Sequence, residues 1–105
     1  MIARVWSAHS TQTQAPAYAD HLRNQVLPTL RAVDGYRGAM LLERAVADAI
    51  ELLVITYWQS EDAIRGFAGT DLEAAVVAEE AAPLLTQFDR RVRHYAVAVN
   101  DEVIE

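Results

Sequence analysis

Apolar and polar positions along this chain follow two periods, and the places where the period changes mark its elements. Residues 2–7 mix β-branched and aromatic side chains with small or polar ones, the habit of a short strand. Residues 9–14 are polar and read as a loop, with His9 in it. From Pro16, a residue suited to the first turn of a helix, Tyr18, Leu22, Val26, Leu30 and Val33 recur at near-helical spacing. Asp20, Arg23 and Asn24 fall off that stripe, so the helix is amphipathic. Pro28 lies inside it and predicts a kink or break near Leu27, because proline removes one hydrogen bond and crowds the carbonyl four residues back. Asp34-Gly35 ends the helix.

The second half begins with a strand over residues 38–44 and a small-residue turn over 45–49. The run IELLVITYW, residues 50–58, is almost continuously apolar and reads as a strand buried on both faces. Ser60 predicts an N-cap, with Glu61 and Asp62 favourable in the first turn that follows. Ala63, Ile64 and Phe67 give this helix its apolar side. Gly69 interrupts it, Asp71 predicts a second helical piece to about Val77, and Pro83 a third that carries Leu84, Leu85 and Phe88. Residues 92–99 alternate as a final strand, and the acidic residues 100–105 read as a frayed tail.

The order is β-α-β-β-α-β. It predicts one α+β domain over residues 1–105, a ferredoxin-like fold with a four-stranded antiparallel sheet and helices on one face. Two helices cover one face only. Leu53, Ile55 and Tyr57 alternate with Leu52, Val54 and Trp58, so apolar residues stand on both faces. A second copy packed sheet to sheet is the economical cover, which predicts a homodimer.

Composition narrows the partners. The net charge is −6 and all nine basic residues are arginine, which argues against a nucleic-acid or anionic-membrane surface. The chain has no cysteine, which excludes disulfides and thiolate chemistry. No apolar run reaches the ~18 residues of a membrane span, and the first residues carry no apolar leader. The expectation is a cytoplasmic protein.

Three stretches carry a family resemblance. Pro28 precedes Gly35-Tyr36-Arg37-Gly38; Tyr57-Trp58-Gln59-Ser60 precedes Ala63-Ile64; His94-Tyr95 lies in the chain's last strand. Together they resemble the antibiotic biosynthesis monooxygenase superfamily over nearly the whole chain. The resemblance implies a dimeric α+β barrel with a pocket between sheet and helices in each subunit. It implies that Trp58 belongs to the pocket, and that a small aromatic or polyketide-type ligand reacts with oxygen without metal or flavin. The polar groups would come from Arg4 or His94, while Trp6, Tyr18, His21, Tyr36 and Phe67 would bind substrate, with Tyr57 a further hydroxyl.

Each candidate has a plainer reading. A tryptophan at a strand end serves most often as core, a strand histidine as a satisfied structural group, and His21 as part of a solvated helix face. Arg4, if buried, needs a partner, either a carboxylate such as Glu43 or Glu51 or a substrate oxygen. Haem-degrading relatives use a histidine in the segment after the tryptophan and an asparagine on the first strand; neither is present here. Three scattered histidines form no metal-ligand spacing, so no metal and no cofactor is expected. The alternatives to an oxygenase are a dimeric ligand-binding or stress-associated module without turnover, and an isomerase or decarboxylase using the same pocket.

Overall fold

The computed structural model describes residues 1–103. Of the tail expected to fray, residues 104–105 lie outside the described residues. Strand β1 (Ile2–Thr11) lies between β3 (Ala49–Trp58) and a broken edge strand made of β4 (Gln87–Phe88) and β5 (Arg93–Ala96), while β2 (Tyr36–Val46) forms the other edge beyond β3. All pairings are antiparallel. This is the expected ferredoxin-like α+β sheet. Strand β1 runs longer than its sequence pattern suggests and takes in His9, which pairs with Glu51 and is not a loop residue.

The first helical stretch shows how Pro28 is accommodated. Helix α1 (Ala15–His21) passes into a π-helical turn at Leu22–Val26, and α2 (Leu27–Arg31) follows. The N–H of Leu27 reaches back to the carbonyl of Leu22, five residues away. The wider turn makes room beside the proline ring, so the expected break is a π-bulge in a continuing helix. Its apolar stripe buries Tyr18, Leu22 and Leu30 on the sheet.

Helix α3 (Glu61–Ala68) starts where the sequence places it. The Ser60 hydroxyl accepts the Ala63 N–H at 3.2 Å. Gly69, at φ 83°, ends the helix, and the two further helical pieces do not form as expected. Residues 71–74 make a turn instead, closed by Ala74 N–H to the Asp71 carbonyl at 3.2 Å; Ala74 then bridges Arg91, Ala75 N–H donates to the Arg90 carbonyl at 2.9 Å, and Val92 N–H donates to the Glu73 carbonyl at 2.8 Å. The Asp71 and Arg91 side chains join across this pairing at 2.7 Å. Tertiary partners have captured the backbone groups that a helix would use internally. After Pro83 only a short 3-10 turn, Ala82–Leu84, remains, and Phe88 belongs to β4.

Alternation along β3 divides the sheet cleanly. Leu52, Val54, Thr56 and Trp58 are buried under the helices, while Leu53, Ile55 and Tyr57 are half-buried on the far face. Met40 and Leu42 of β2 and Tyr95 of β5 are exposed on that same far face. Among the described residues no helix is long and apolar enough to cross a membrane.

Gly35 sets the distance between the end of α2 and α3. It sits at φ 88°, and a Cβ there would lie 2.5 Å from the Ala63 Cβ. Gly35→Ala is expected to cost about 1–3 kcal/mol from backbone strain and this clash. Urea unfolding should show a lower midpoint at unchanged slope; an unaltered midpoint would mean that this approach is not tight.

Candidate functional site

One row across the sheet supplies the polar floor of the site. Arg4 pairs with Thr56 on one side and His94 on the other, and all three side chains face the helices. Arg4 is 4% exposed, in the middle of an otherwise apolar layer. Its Nη1 donates to the Leu72 carbonyl at 2.5 Å and to His94 Nε2 at 3.0 Å, and its Nη2 to the Ala74 carbonyl at 2.7 Å. The guanidinium carbon lies 5.8 Å from the centre of the Phe67 ring. Burial pulls the Arg4 pKa below its ordinary value; arginine nevertheless keeps its charge in proteins. The carboxylate partner anticipated for it is absent. Glu51 points to the far face and bonds Arg44 at 2.7 Å, and Glu43 lies two strands away on β2.

Above this floor lies a cavity of about 70 Å³. The sheet side is Arg4, Trp6, Val54, Thr56 and Val92; the helical side is Tyr18, His21, Leu22, Val26 and Leu30. Phe67 closes one end, and Val76, Val77, Ala78 and Ala81 of the irregular segment form the outer wall. The cavity separates two apolar clusters, one around Leu52, Val54 and Leu22, the other around Trp58, Leu30 and Ile64. Five of the nine residues singled out in the sequence therefore meet around it: Arg4, Trp6, Tyr18, His21 and Phe67; Tyr57 stands on the opposite face of the sheet and does not reach it.

Trp58, Tyr36 and His94 stand one layer behind. Trp58 is fully buried, stacks on Phe67 at 5.7 Å between ring centres, and meets the Tyr36 ring edge-on at 5.5 Å. Its Nε1–H donates to Thr56 Oγ1 at 2.8 Å. Trp58 thus orients two residues that do touch the cavity. Thr56, having accepted that bond, still carries its own hydroxyl proton. Alternation alone placed Thr56 beside Trp58; its polarity on a buried face was the signal that it belongs to the site.

His94 holds Arg4 from behind. An arginine only donates, so His94 Nε2 is the acceptor and the neutral ring carries its proton on Nδ1. Burial, and then the Arg4 charge, lower the His94 pKa. Burial pushes Tyr18 up to about 12, so its phenol stays protonated. Its ring packs between Trp6 at 6.1 Å and His21 at 6.0 Å. The outer wall was not foreseen, because residues 71–77 were expected to be helical. Among the described residues no three metal-ligating side chains converge.

Comparison with known proteins agrees with this architecture. The family model for antibiotic biosynthesis monooxygenase matches residues 1–79. No curated protein sequence matches the chain. Among solved structures, an antibiotic biosynthesis monooxygenase-type protein from Bacillus cereus superposes with TM-score 0.67 at 14% identity, covering 97% of each chain. The haem degrader MhuD from Mycobacterium tuberculosis, with two haems in its active site, gives 0.61 at 18% identity over 97% of this chain and all of its own. A Streptomyces coelicolor monooxygenase in complex with nanaomycin D gives 0.56 at 16% identity over 99% of this chain and 91% of its own.

The bond between Trp58 and Thr56 is testable by a double-mutant cycle. Thr56→Val leaves a buried indole N–H without an acceptor and should cost about 1–3 kcal/mol. In a Trp58→Phe background that part of the loss should vanish, leaving a coupling energy of about 1 kcal/mol in chemical unfolding. Strict additivity would remove Trp58 from the role of orienting Thr56.

Proposed function

The chain belongs to the antibiotic biosynthesis monooxygenase family, and on that premise we propose that it oxidises a small aromatic molecule with dioxygen, without a bound cofactor, in the cavity between sheet and helices. The observation that carries the reading is the cavity's make-up. Apolar walls from Trp6, Val54 and Phe67 enclose one cation, two hydroxyls and one imidazole. Such a site desolvates an aromatic ring while stabilising negative charge on it.

The chemistry needs an acidic substrate hydrogen. A phenol, or a methylene beside an aromatic ketone, loses a proton, and His21 is the imidazole on the lining that takes it. The resulting anion is stabilised by the Arg4 charge and by the Tyr18 and Thr56 hydroxyls. The carbanion form transfers electrons to dioxygen and bonds to it. Loss of water from the hydroperoxide then leaves a carbonyl: one oxygen atom enters the product and the other leaves as water, while the ring methylene loses two hydrogens. His94 acts through Arg4, as a positioning residue, because its Nε2 is already engaged.

Size limits the substrate. A cavity of about 150 Å³ takes up benzene, whereas this one measures about 70 Å³. A single ring enters when the outer wall yields; haem would demand far more room, and the lining segment after Trp58 offers it Phe67 and valines but no histidine. The exposed apolar face of the sheet supports the homodimer, with Ile55, Leu53 and Tyr57 at the centre of the contact.

An oxygen electrode with anthrone-type substrates should record one dioxygen consumed per carbonyl formed. His21→Gln should slow turnover by about 10²–10⁴. Ligands that raise the melting temperature without any oxygen uptake would favour a binding module instead. Light scattering should give twice the 11.7 kDa chain mass, falling to one chain in Ile55→Arg; a monomeric native protein would refute the dimer.

A further inference from the structure

The partners of Arg4 are all neutral. Two are backbone carbonyls and the third is an imidazole held in its uncharged form. A guanidinium has five N–H donors. Three are used: two on Nη1 and one on Nη2. Nε–H and the second Nη2–H have no acceptor among the described residues. Among the described residues no side-chain nitrogen or oxygen sealed from solvent lacks a partner, so Nε, which has none, is not walled in, and the open space that Arg4 lines is the cavity.

The cavity offers no compensating charge. Its lining contains no aspartate or glutamate. Glu73, on the neighbouring segment, is engaged by Arg91 at 3.4 Å, and Glu61 lies 4.0 Å from Arg65. An otherwise acidic chain, at net −6, thus keeps one desolvated cation facing an apolar chamber. Burying such a charge unpaired is costly, and an anion in the chamber would remove that cost. Nε and Nη2 lie side by side in the guanidinium plane, a fork that matches the two oxygens of a carboxylate.

We propose that the natural ligand is a single-ring organic carboxylate, bound through Nε and Nη2 of Arg4, with its ring between Phe67, Trp6 and Val54. Remaining acceptors on the ligand meet the Thr56 and Tyr18 hydroxyls. Arg4 then sets specificity by charge, and His94 supports it by fixing the guanidinium plane. The proposal rests on the cavity being the ligand site and does not depend on oxygen chemistry.

Calorimetric titration of the full chain with benzoate, salicylate and 4-hydroxybenzoate tests it, against benzamide and benzyl alcohol as neutral matches. At least one carboxylate should bind about tenfold or more tightly than the neutral compounds. Arg4→Met should abolish the preference, Arg4→Lys should retain part of it, and Arg23→Met, on the exposed side of α1, should leave it intact. Should Arg4→Met fail to fold, the comparison of charged and neutral ligands on the native protein still decides. Equal affinity for charged and neutral ligands, or no carboxylate binding up to about 10 mM, overturns the proposal. Oxygen uptake with neutral hydroquinones but no carboxylate binding would refute the carboxylate and leave the oxygenase reading; carboxylate binding without oxygen uptake would do the reverse.

Discussion

A desolvated positive charge on β1 governs the arrangement around it. Arg4 needs acceptors, and the nearest polar atoms that can reach it are the carbonyls of Leu72 and Ala74. Supplying them holds residues 71–75 in a turn and bridge at the sheet edge, where Glu73 to Ala75 also pair with residues 90–92. A segment held that way cannot coil into a helix, whose carbonyls would be spent internally. An irregular wall packs less tightly on the sheet than a helix would, and the cavity lies beneath it. The charge, the wall and the chamber are therefore linked.

Trp58 contributes in a different way. Its indole fills the core behind the chamber, and its two directional contacts face the site: a stack on Phe67 and a hydrogen bond to Thr56. The large aromatic at the end of β3 is a core residue with a positioning role. The contacts that pack Trp58 also shape the cavity wall, which is why Trp58 reads convincingly as core or as pocket from sequence. The Arg4 row works on the same plan, with His94 behind the guanidinium and the chamber in front.

Much of this was legible beforehand. Period-two alternation separated Leu52, Val54 and Trp58 from Leu53, Ile55 and Tyr57, and the folded sheet divides them that way. The Ser60 cap and the Gly35 stop were local signals with local causes. The errors share a different origin. Asp71 looked like a helix start, but its carboxylate and its neighbours' backbone answer to Arg91 and Arg4, distant in sequence. His9 looked like loop because its partners, Glu51 and Gln87, are equally remote. Of the candidates the resemblance implied, five meet around one cavity, Arg4 and Trp6 from one face of β1 and Tyr18, His21 and Phe67 from helices; the depth order that put Trp58, Tyr36 and His94 behind it depends on three-dimensional packing.

The central claim is that Arg4 keeps unsatisfied donors facing the chamber. The Nε–H proton of Arg4, followed by proton–nitrogen correlation spectroscopy, reports on this directly. Addition of benzoate should move that signal downfield and slow its exchange with water, while the eight other arginine signals stay in place. An Arg4 Nε–H already protected in the free protein, or one indifferent to saturating benzoate, would contradict it.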